Sequence, residues 1–413
     1  MHETRSGRET QGELLNIIAG LEPGAIQEVL LERAKQAALT MAVALLEQDA
    51  ETLCGQRYER KSAGLGYRGG HEQTSVIVEG ARYAVCRPRV RKNNREVALP
   101  TLAKLQSQDL LDQQMRQRMV LGVSTRNYDQ VIDGYSEKLG VSRSSVSRAF
   151  IRASQKDLDT INEGKLADHS FVALLIDGVE IGGRTVVAAL GITAAMEKIP
   201  IGLREGDTEN NEVVKDLLAS LHERGFTLHC ERLLAIIDGA KALKKALRAV
   251  FGERVIMARC WLHKERNLRG YLPERVHGML HWRLKKLMAL NALADARTEL
   301  AALREWVGGL SVQAASSLDE VGEELLTLHA LGLTGELRKS WSSTNLIESL
   351  FSVVRAKIHR VKNWKSQRSQ QILRWVATSI LAHRKKMRRV RGMAQAEALI
   401  TALGRREVAA EAA

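Results

Sequence analysis

Proline, aromatic residues and cysteine are all scarce in this chain. Five prolines and 4% aromatics among 413 residues leave few helix breakers and few large rings, and favour a helix-rich fold. Four cysteines, Cys54, Cys86, Cys230 and Cys260, are too few and too scattered for a disulfide framework. No apolar run approaches the roughly 18 residues that a membrane span requires. The opening MHETRSGRETQGELL has no apolar signal core. These absences lead us to expect a soluble protein of a reducing cytoplasm, with no membrane partner. Acidic residues are also short, 48 against 62 Lys and Arg, for a net charge of +14. That excess points to an anionic partner, with nucleic acid first for a protein of this size.

What is present is globular: 45% hydrophobic and 27% charged residues, in a length that suggests about two to four domains. Residues 1–50 are helical in pattern, with Pro23 in a first-turn position. Ile26, Val29, Leu30, Ala34, Ala37, Met41 and Leu45 form an apolar stripe suited either to packing within the domain or to a dimer contact. In residues 51–160 the strand-like runs Thr74–Val78 and Tyr83–Cys86 predict a two-stranded hairpin. Arg87, Arg89, Arg91, Lys92 and Arg95 follow within nine positions, as either a solvated loop or a phosphate-contacting arm. Next, Arg118–Ala153 reads as a helix-turn-helix. Ser124-Thr125 caps the first helix, Gly140 makes the turn, and Val146, Ala149 and Phe150 are buried in the second. Arg126, Arg143, Ser144, Ser145 and Arg148 then become candidate DNA contacts; a plain helical hairpin is the alternative.

From Phe171 the pattern changes to strands. Phe171–Ile176 is a buried strand ending at Asp177-Gly178, Gly182-Gly183 turns the chain, and Arg184–Ile192 returns it. A short strand near Ile199–Leu203 and a helix over Asn210–Arg224 follow. Leu233–Ile237 is a second buried strand, ending at Asp238-Gly239. Lys241 opens a helix with Leu243, Leu247 and Val250 at helical spacing. Val255–Ala258 is another apolar run, closing on Cys260-Trp261-Leu262-His263. Residues 161–270 thus form the first part of an α/β core, and residues 271–340 an all-helical insertion. Residues 341–413 hold the last core helices and a basic tail. Between Ser349 and Ala396 there are thirteen Lys or Arg and no Asp or Glu, a run that argues for polyanion binding. Trp364 could stack on bases, whereas Trp375 reads as core.

Asp177 and Asp238 each end an apolar strand, and Glu348 lies in the first turns of a late helix. Asp238 taken alone reads equally well as a helix or turn cap. Three carboxylates meeting in one site repel one another, so divalent cations are the natural counter-charge, and oxygen ligation suits Mg2+ or Mn2+. Arg355, His359 and Lys362 follow Glu348 at spacings that would share its helix face, and Lys357 lies among them. Cys260 and His263, with His229-Cys230 nearby, offer a zinc reading; a satisfied pair supporting the site is favoured, because zinc needs four ligands in paired motifs.

Four blocks carry a resemblance: Leu175-Ile176-Asp177-Gly178, Ile237-Asp238-Gly239-Ala240-Lys241, Cys260-Trp261-Leu262-His263-Lys264 and Ser343-Thr344-Asn345-Leu346-Ile347-Glu348-Ser349. In this order the chain resembles the Mutator-type transposases of bacterial insertion sequences over roughly residues 50–395. Ser349-Leu350-Phe351-Ser352 departs from the family's more usual Leu-Asn-Arg run. The resemblance implies a DDE recombinase on an RNase H-like α/β core, a three-strand antiparallel meander plus parallel strands flanked by helices. Asp177, Asp238 and Glu348 would be its catalytic, metal-binding triad, holding two Mg2+ or Mn2+ ions. It implies binding of double-stranded DNA, both terminal inverted repeats and target, by a homo-oligomer of at least two chains, in the bacterial cytoplasm at the nucleoid. A catalytically silent DNA-binding regulator derived from a transposase is the alternative.

Overall fold

The computed structural model describes residues 23–55, 66–78, 81–107, 112–113, 116–117, 119–121, 143–206, 210–365 and 367–404. The first helix and turn of the expected helix-turn-helix, with Arg126, lie outside these residues, as do the side chains of Arg143, Ser144 and Ser145. The chain divides into two compact units, Met1–Ala153 and Ser154–Ala413.

In the first unit a long helix, α1 (Pro23–Cys54), packs on a three-stranded antiparallel sheet, β1 (Tyr67–Val78), β2 (Ala81–Lys92) and β3 (Arg95–Val97). The sequence predicts two strands here. The third forms because Asn93 and Asn94 both adopt left-handed backbone (φ 50° and 59°), the geometry that reverses a strand most tightly. The apolar stripe is also displaced from its expected position. Ala42, Leu46, Ala50 and Cys54, four apart, are buried against Val76, Val85 and Val90. Leu30, Met41 and Leu45 are instead 55%, 66% and 40% exposed. The sheet covers one side of the helix only, and that side is set by the row ending at Cys54. Glu47 fastens the pair by accepting from Arg68 at 2.7 Å and meeting His71 at 3.2 Å. A short helix, α2 (Pro100–Leu105), is tied to α1 through Thr101, whose N–H and hydroxyl both donate to Asp49.

Helix α3 (Arg143–Asn162) carries the chain into the second unit. A mixed sheet follows, built from β4 (Ser170–Ile181), β5 (Arg184–Thr193), β6 (Lys198–Glu205), β7 (Thr227–Leu228), β8 (Leu233–Ile237) and β9 (Val255–Arg259). Its order is β6-β5-β4-β8-β9, with the two-residue β7 beside the start of β4. The first three strands are an antiparallel meander, and β4, β8 and β9 run parallel. Gly182 and Gly183, both left-handed, close the first hairpin. Helix α4 (Asn211–Glu223), capped by the Asn210 carboxamide, connects β6 towards β8. Helix α5 (Lys241–Phe251) connects β8 to β9.

Strand alternation decides which residues face which layer. Leu174 and Ile176 of β4, Leu233, Ala235 and Ile237 of β8, and Val255 and Met257 of β9 all pack with α4 and α5 in one apolar cluster. The residues between and beyond them, including positions 177, 238 and 260, therefore belong to the opposite face.

Beyond β9 the chain is helical: α6 (Trp261–Tyr271), α7 (His277–Ala289), α8 (Leu293–Gly308), α9 (Val312–Val321), α10 (Thr327–Ala330) and α11 (Gly335–Trp341). Most of these helices share a separate core around Leu268, Leu284, Leu303 and Leu318. Helices α12 (Asn345–Ile358), α13 (Gln371–Arg384) and α14 (Ala396–Ala402) complete the unit, with α12 against β4 and α13 against β6. No helix among the described residues is long and apolar enough to cross a membrane.

Gly239 is the tightest point of this framework. Its φ is +107°, and a methyl group there would lie 1.9 Å from Nη2 of Arg259. That guanidinium is itself buried between Glu320 and Glu324 and has little room to retreat. Gly252, also left-handed, has open space around it. Gly252→Ala should thus cost about 1 kcal/mol of backbone strain. Gly239→Ala should cost about 2–4 kcal/mol by adding overpacking, read as a larger fall in the urea midpoint.

Candidate active site

Two parallel strands bring two acids side by side: β8 ends just before Asp238, whereas β4 does not end at Asp177 as its apolar run suggests but continues to Ile181, held by its pairing with β5. Strand β4 pairs with β8 so that Ala173 lies opposite Leu234, Leu174 opposite Ala235 and Leu175 opposite Ile236. The offset, 234 − 173, is 61 residues, and the separation of the two aspartates, 238 − 177, is also 61. Extended two positions, the register sets Asp177 beside Asp238. Alternation puts both on the face away from α4 and α5, where α12 brings Glu348 in its first turn.

Asp177 is 5% exposed and accepts the Gly178 N–H at 2.9 Å. Asp177, His263 and Glu348 each present a ligand atom within 4.8 Å of the others. Asp238 stands outside that set. Its carboxylate accepts the Ala240 N–H at 3.0 Å, so it does serve the turn, while its charge still bears on Asp177 and His263. Burial raises the Asp177 carboxyl from the usual 3.8 to about 6; Asp238 and Glu348 add to this, while His263 and the Gly178 N–H oppose it. The Cys260 thiol partner, followed by the charges of Cys260, Asp177 and Asp238, lifts the His263 imidazole to about 9 against its burial. Burial pushes the Cys260 thiol up, but His263 and Thr344 together outweigh it and hold it below its ordinary value. The metal-free site is thus a cationic imidazole among three acids.

The donor chemistry suits a hard divalent cation. Two carboxylates share the cluster, a third is adjacent, and burial makes the Asp177 carboxyl hold its proton unusually tightly, a cost that a bound cation would offset. Zinc does not fit. His229 Nδ1 is 2.9 Å from the Ser170 hydroxyl, and Cys230 donates to the Ile400 carbonyl. Among the described residues, neither joins a group of candidate ligands.

Cys260 and His263 brace the site. The Cys260 N–H donates to Ile237 O, and the Trp261 N–H donates to Ser342 O, both at 2.9 Å. The Thr344 N–H donates to Cys260 Sγ at 3.4 Å. The end of β8, the start of α6 and the loop entering α12 are thereby joined. The Thr344 hydroxyl, 3.4 Å from His263 Nδ1, donates to Glu348 Oε1 at 3.0 Å. In the sequence Thr344 stands out only as part of the Ser343–Ser349 block; its position four residues before Glu348 was the available signal.

The candidate DNA contacts are dispersed. Arg87 and Arg89 are engaged by Glu72 and Glu96 across their own sheet, because β3 places Glu96 beside them. Arg91 is half-buried, and Arg148 is exposed. In the second unit Lys241, Arg355, His359 and Lys362 are exposed, and Lys357 is half-buried. Helix α12 ends at Ile358, so the face shared with Glu348 holds Arg355 but does not extend to Lys362. Trp364 packs over Gly182 at the β4–β5 turn, where a methyl group would lie 2.3 Å from its ring. Arg184 donates to Lys365 O beside it. Trp375 is buried.

The raised Asp177 carboxyl has a thermodynamic sign. Between about 3.8 and 6 the folded chain binds the proton that the unfolded chain releases, so metal-free stability falls as pH rises through that window. Asp177→Asn removes the cost. In chelator it should be more stable than wild type by about 3 kcal/mol at pH 7 and little or no more stable at pH 4, as measured by urea denaturation.

Known proteins similar to this chain are transposases. Residues 15–384 match the family described as "Transposase, Mutator family". The transposase for insertion sequence element IS6120 of Mycolicibacterium smegmatis is 26% identical over 241 residues, 57% of this chain and 72% of that protein. The transposase for element ISRM5 of Rhizobium meliloti (strain 1021) is 26% identical over 357 residues, 82% of this chain and 85% of that protein. The transposase for element IST2 of Acidithiobacillus ferrooxidans is 29% identical over 185 residues, 45% and 60% of the two chains. With the family match running across both units, this chain belongs to the Mutator family of transposases.

Proposed function

We propose that the chain is a DDE transposase that binds the terminal inverted repeats of its insertion sequence and catalyses Mg2+-dependent cleavage and strand transfer. One observation carries this reading: Asp177 and Asp238 lie side by side on one face of the sheet ordered β6-β5-β4-β8-β9, and α12 brings Glu348 to that face. The same order, a meander followed by parallel strands, supports an RNase H-like core, with α6–α11 as a helical insertion. The three carboxylates would hold one or two ions, Mg2+ or Mn2+, which when bound supply a nucleophile at neutral pH and charge neutralisation at the scissile phosphate.

The protein's own residues set up that chemistry. Buried Asp177 supplies charge where water is excluded, Asp238 aligns the end of β8, and Glu348 is carried in by α12. His263, a cation before loading, keeps three neighbouring acids from forcing the site apart. In the first step water forms a bond to phosphorus as the P–O3′ bond breaks, freeing a 3′-OH at the element's end. In the second, that oxygen bonds to a target phosphorus as the target's own P–O3′ bond breaks. Phosphodiester number is conserved in the exchange, and no protein nucleophile is consumed. The +14 charge and exposed Lys241, Arg355, His359 and Lys362 suit a polyanion. The segment 118–153 would serve as a helix-turn-helix on the repeat. Pairing two ends requires at least two chains, acting at the nucleoid.

Strand-transfer assays on matched element ends test the reading. Asp177→Asn, Asp238→Asn and Glu348→Gln should each lower Mg2+-dependent cleavage and joining by about two orders of magnitude or more, with repeat binding in gel shifts retained. Near-wild-type joining by any one of them would remove that residue from the triad.

A further inference from the structure

Thr344 is fully buried, and its side chain is not used where a helix-entering threonine is ordinarily used. It occupies the N-cap position of α12, yet its hydroxyl makes no capping bond. Its own carbonyl accepts the Ile347 and Glu348 N–H groups, and the Ser343 hydroxyl accepts the Asn345 N–H. The Thr344 hydroxyl faces three other groups: Glu348 Oε1 at 3.0 Å, Cys260 Sγ at 3.5 Å and His263 Nδ1 at 3.4 Å.

A hydroxyl has one proton and two lone pairs. A carboxylate can only accept, so the proton goes to Glu348. The oxygen's other side faces Cys260 Sγ and His263 Nδ1. Cys260 is anchored in turn by its backbone bond to Ile237 O and by the Thr344 N–H. One buried oxygen is thus clamped from two sides and directs its only proton at a partly exposed glutamate, whose three rotatable bonds would otherwise leave it several orientations.

We propose that Thr344 is a positioning residue: its hydroxyl, held by Cys260 and His263, fixes the Glu348 carboxylate in the orientation that receives a divalent cation beside Asp177. The proposal rests on the divalent-cation reading above. It assigns Cys260-x-x-His263 a purpose without making either residue a ligand: the motif orients the hydroxyl that orients the acid. Hydrogen-bonding partners of metal-ligating carboxylates typically contribute about 10–100-fold to metal affinity, and that is the expected size of the effect.

The test uses the full chain and Mn2+ alone, with binding followed by calorimetry and by paramagnetic resonance. Thr344→Val keeps the shape and removes the hydroxyl; Thr344→Ser keeps the hydroxyl and removes the methyl. Wild type should bind Mn2+ and Glu348→Gln should lose that binding. Thr344→Val should bind about 10–100-fold more weakly, and Thr344→Ser should stay within about threefold of wild type. Unfolding temperatures in chelator should separate Thr344→Val from wild type by no more than about 3 °C, which sets positioning apart from a merely structural loss. If Thr344→Val fails to fold, Thr344→Ala takes its place in the same comparison. Wild-type affinity in the hydroxyl-free variant overturns the proposal and leaves the cation reading standing. So does a Thr344→Ser variant as weak as Thr344→Val. Mn2+ binding by wild type that is indifferent to Glu348→Gln overturns the cation reading, and this proposal with it.

Discussion

The hydrogen-bonded pairing of β4 with β8 places each residue of one strand beside the residue 61 positions later in the other, and the site inherits that offset. A slip of one residue would send the side chains of β8 to the opposite face of the sheet. Leu233, Ala235 and Ile237 would then leave the cluster they form with α4 and α5, and position 238 would turn away from Asp177. The register that satisfies the core is the register that juxtaposes the acids. Packing and chemistry are therefore not separately adjustable in this part of the chain.

The cost of that arrangement is electrostatic. A buried carboxylate with two acids near it is held well above its ordinary pKa, and an imidazole among them is held well above its own. The surroundings hold this charge by bracing several elements. The backbone of Cys260 joins β8, Trp261 joins the loop before α12, and Thr344 joins Cys260, His263 and Glu348. Beneath Gly239, the Arg259 guanidinium leaves no space for a side chain in the turn that carries Asp238. A site that is unfavourable without cation is the expected companion of one that gains stability on loading.

Much of the second unit is legible from sequence because its signals are local. Unbroken apolar runs at 171–176 and 233–237 mark strands buried on both faces. Paired glycines mark the hairpin, and the spacing of Leu243, Leu247 and Val250 marks an amphipathic helix. The first unit is less legible, for two reasons. Leu30, Met41 and Leu45 repeat as regularly as Ala42, Leu46, Ala50 and Cys54, and periodicity does not say which row a sheet will cover. The strand Arg95–Val97 is three residues long, too short for an alternation pattern, and exists through its turn. It captures Glu96 for Arg87 and Arg89, which as a sequence run read as an open basic arm.

The candidate acids were visible as residue types in context: Asp177 and Asp238 by the apolar runs they follow, Glu348 by the motif around it. Sequence alone settled that Asp238 lies where a strand ends and Glu348 where a helix begins, because backbone periodicity is a property of neighbours; Asp177 instead lies inside β4, which runs on to Ile181. Only the tertiary structure decided that Asp177, Glu348 and His263 come within a few ångströms while Asp238 stays a step aside, bonded to its own turn. It also decided that Cys260 and His263 lie within hydrogen-bond reach of a buried threonine, and that Lys362 falls beyond the helix carrying Glu348. Those outcomes depend on strand register, helix length and contacts between groups some eighty residues apart, none of which a linear pattern records.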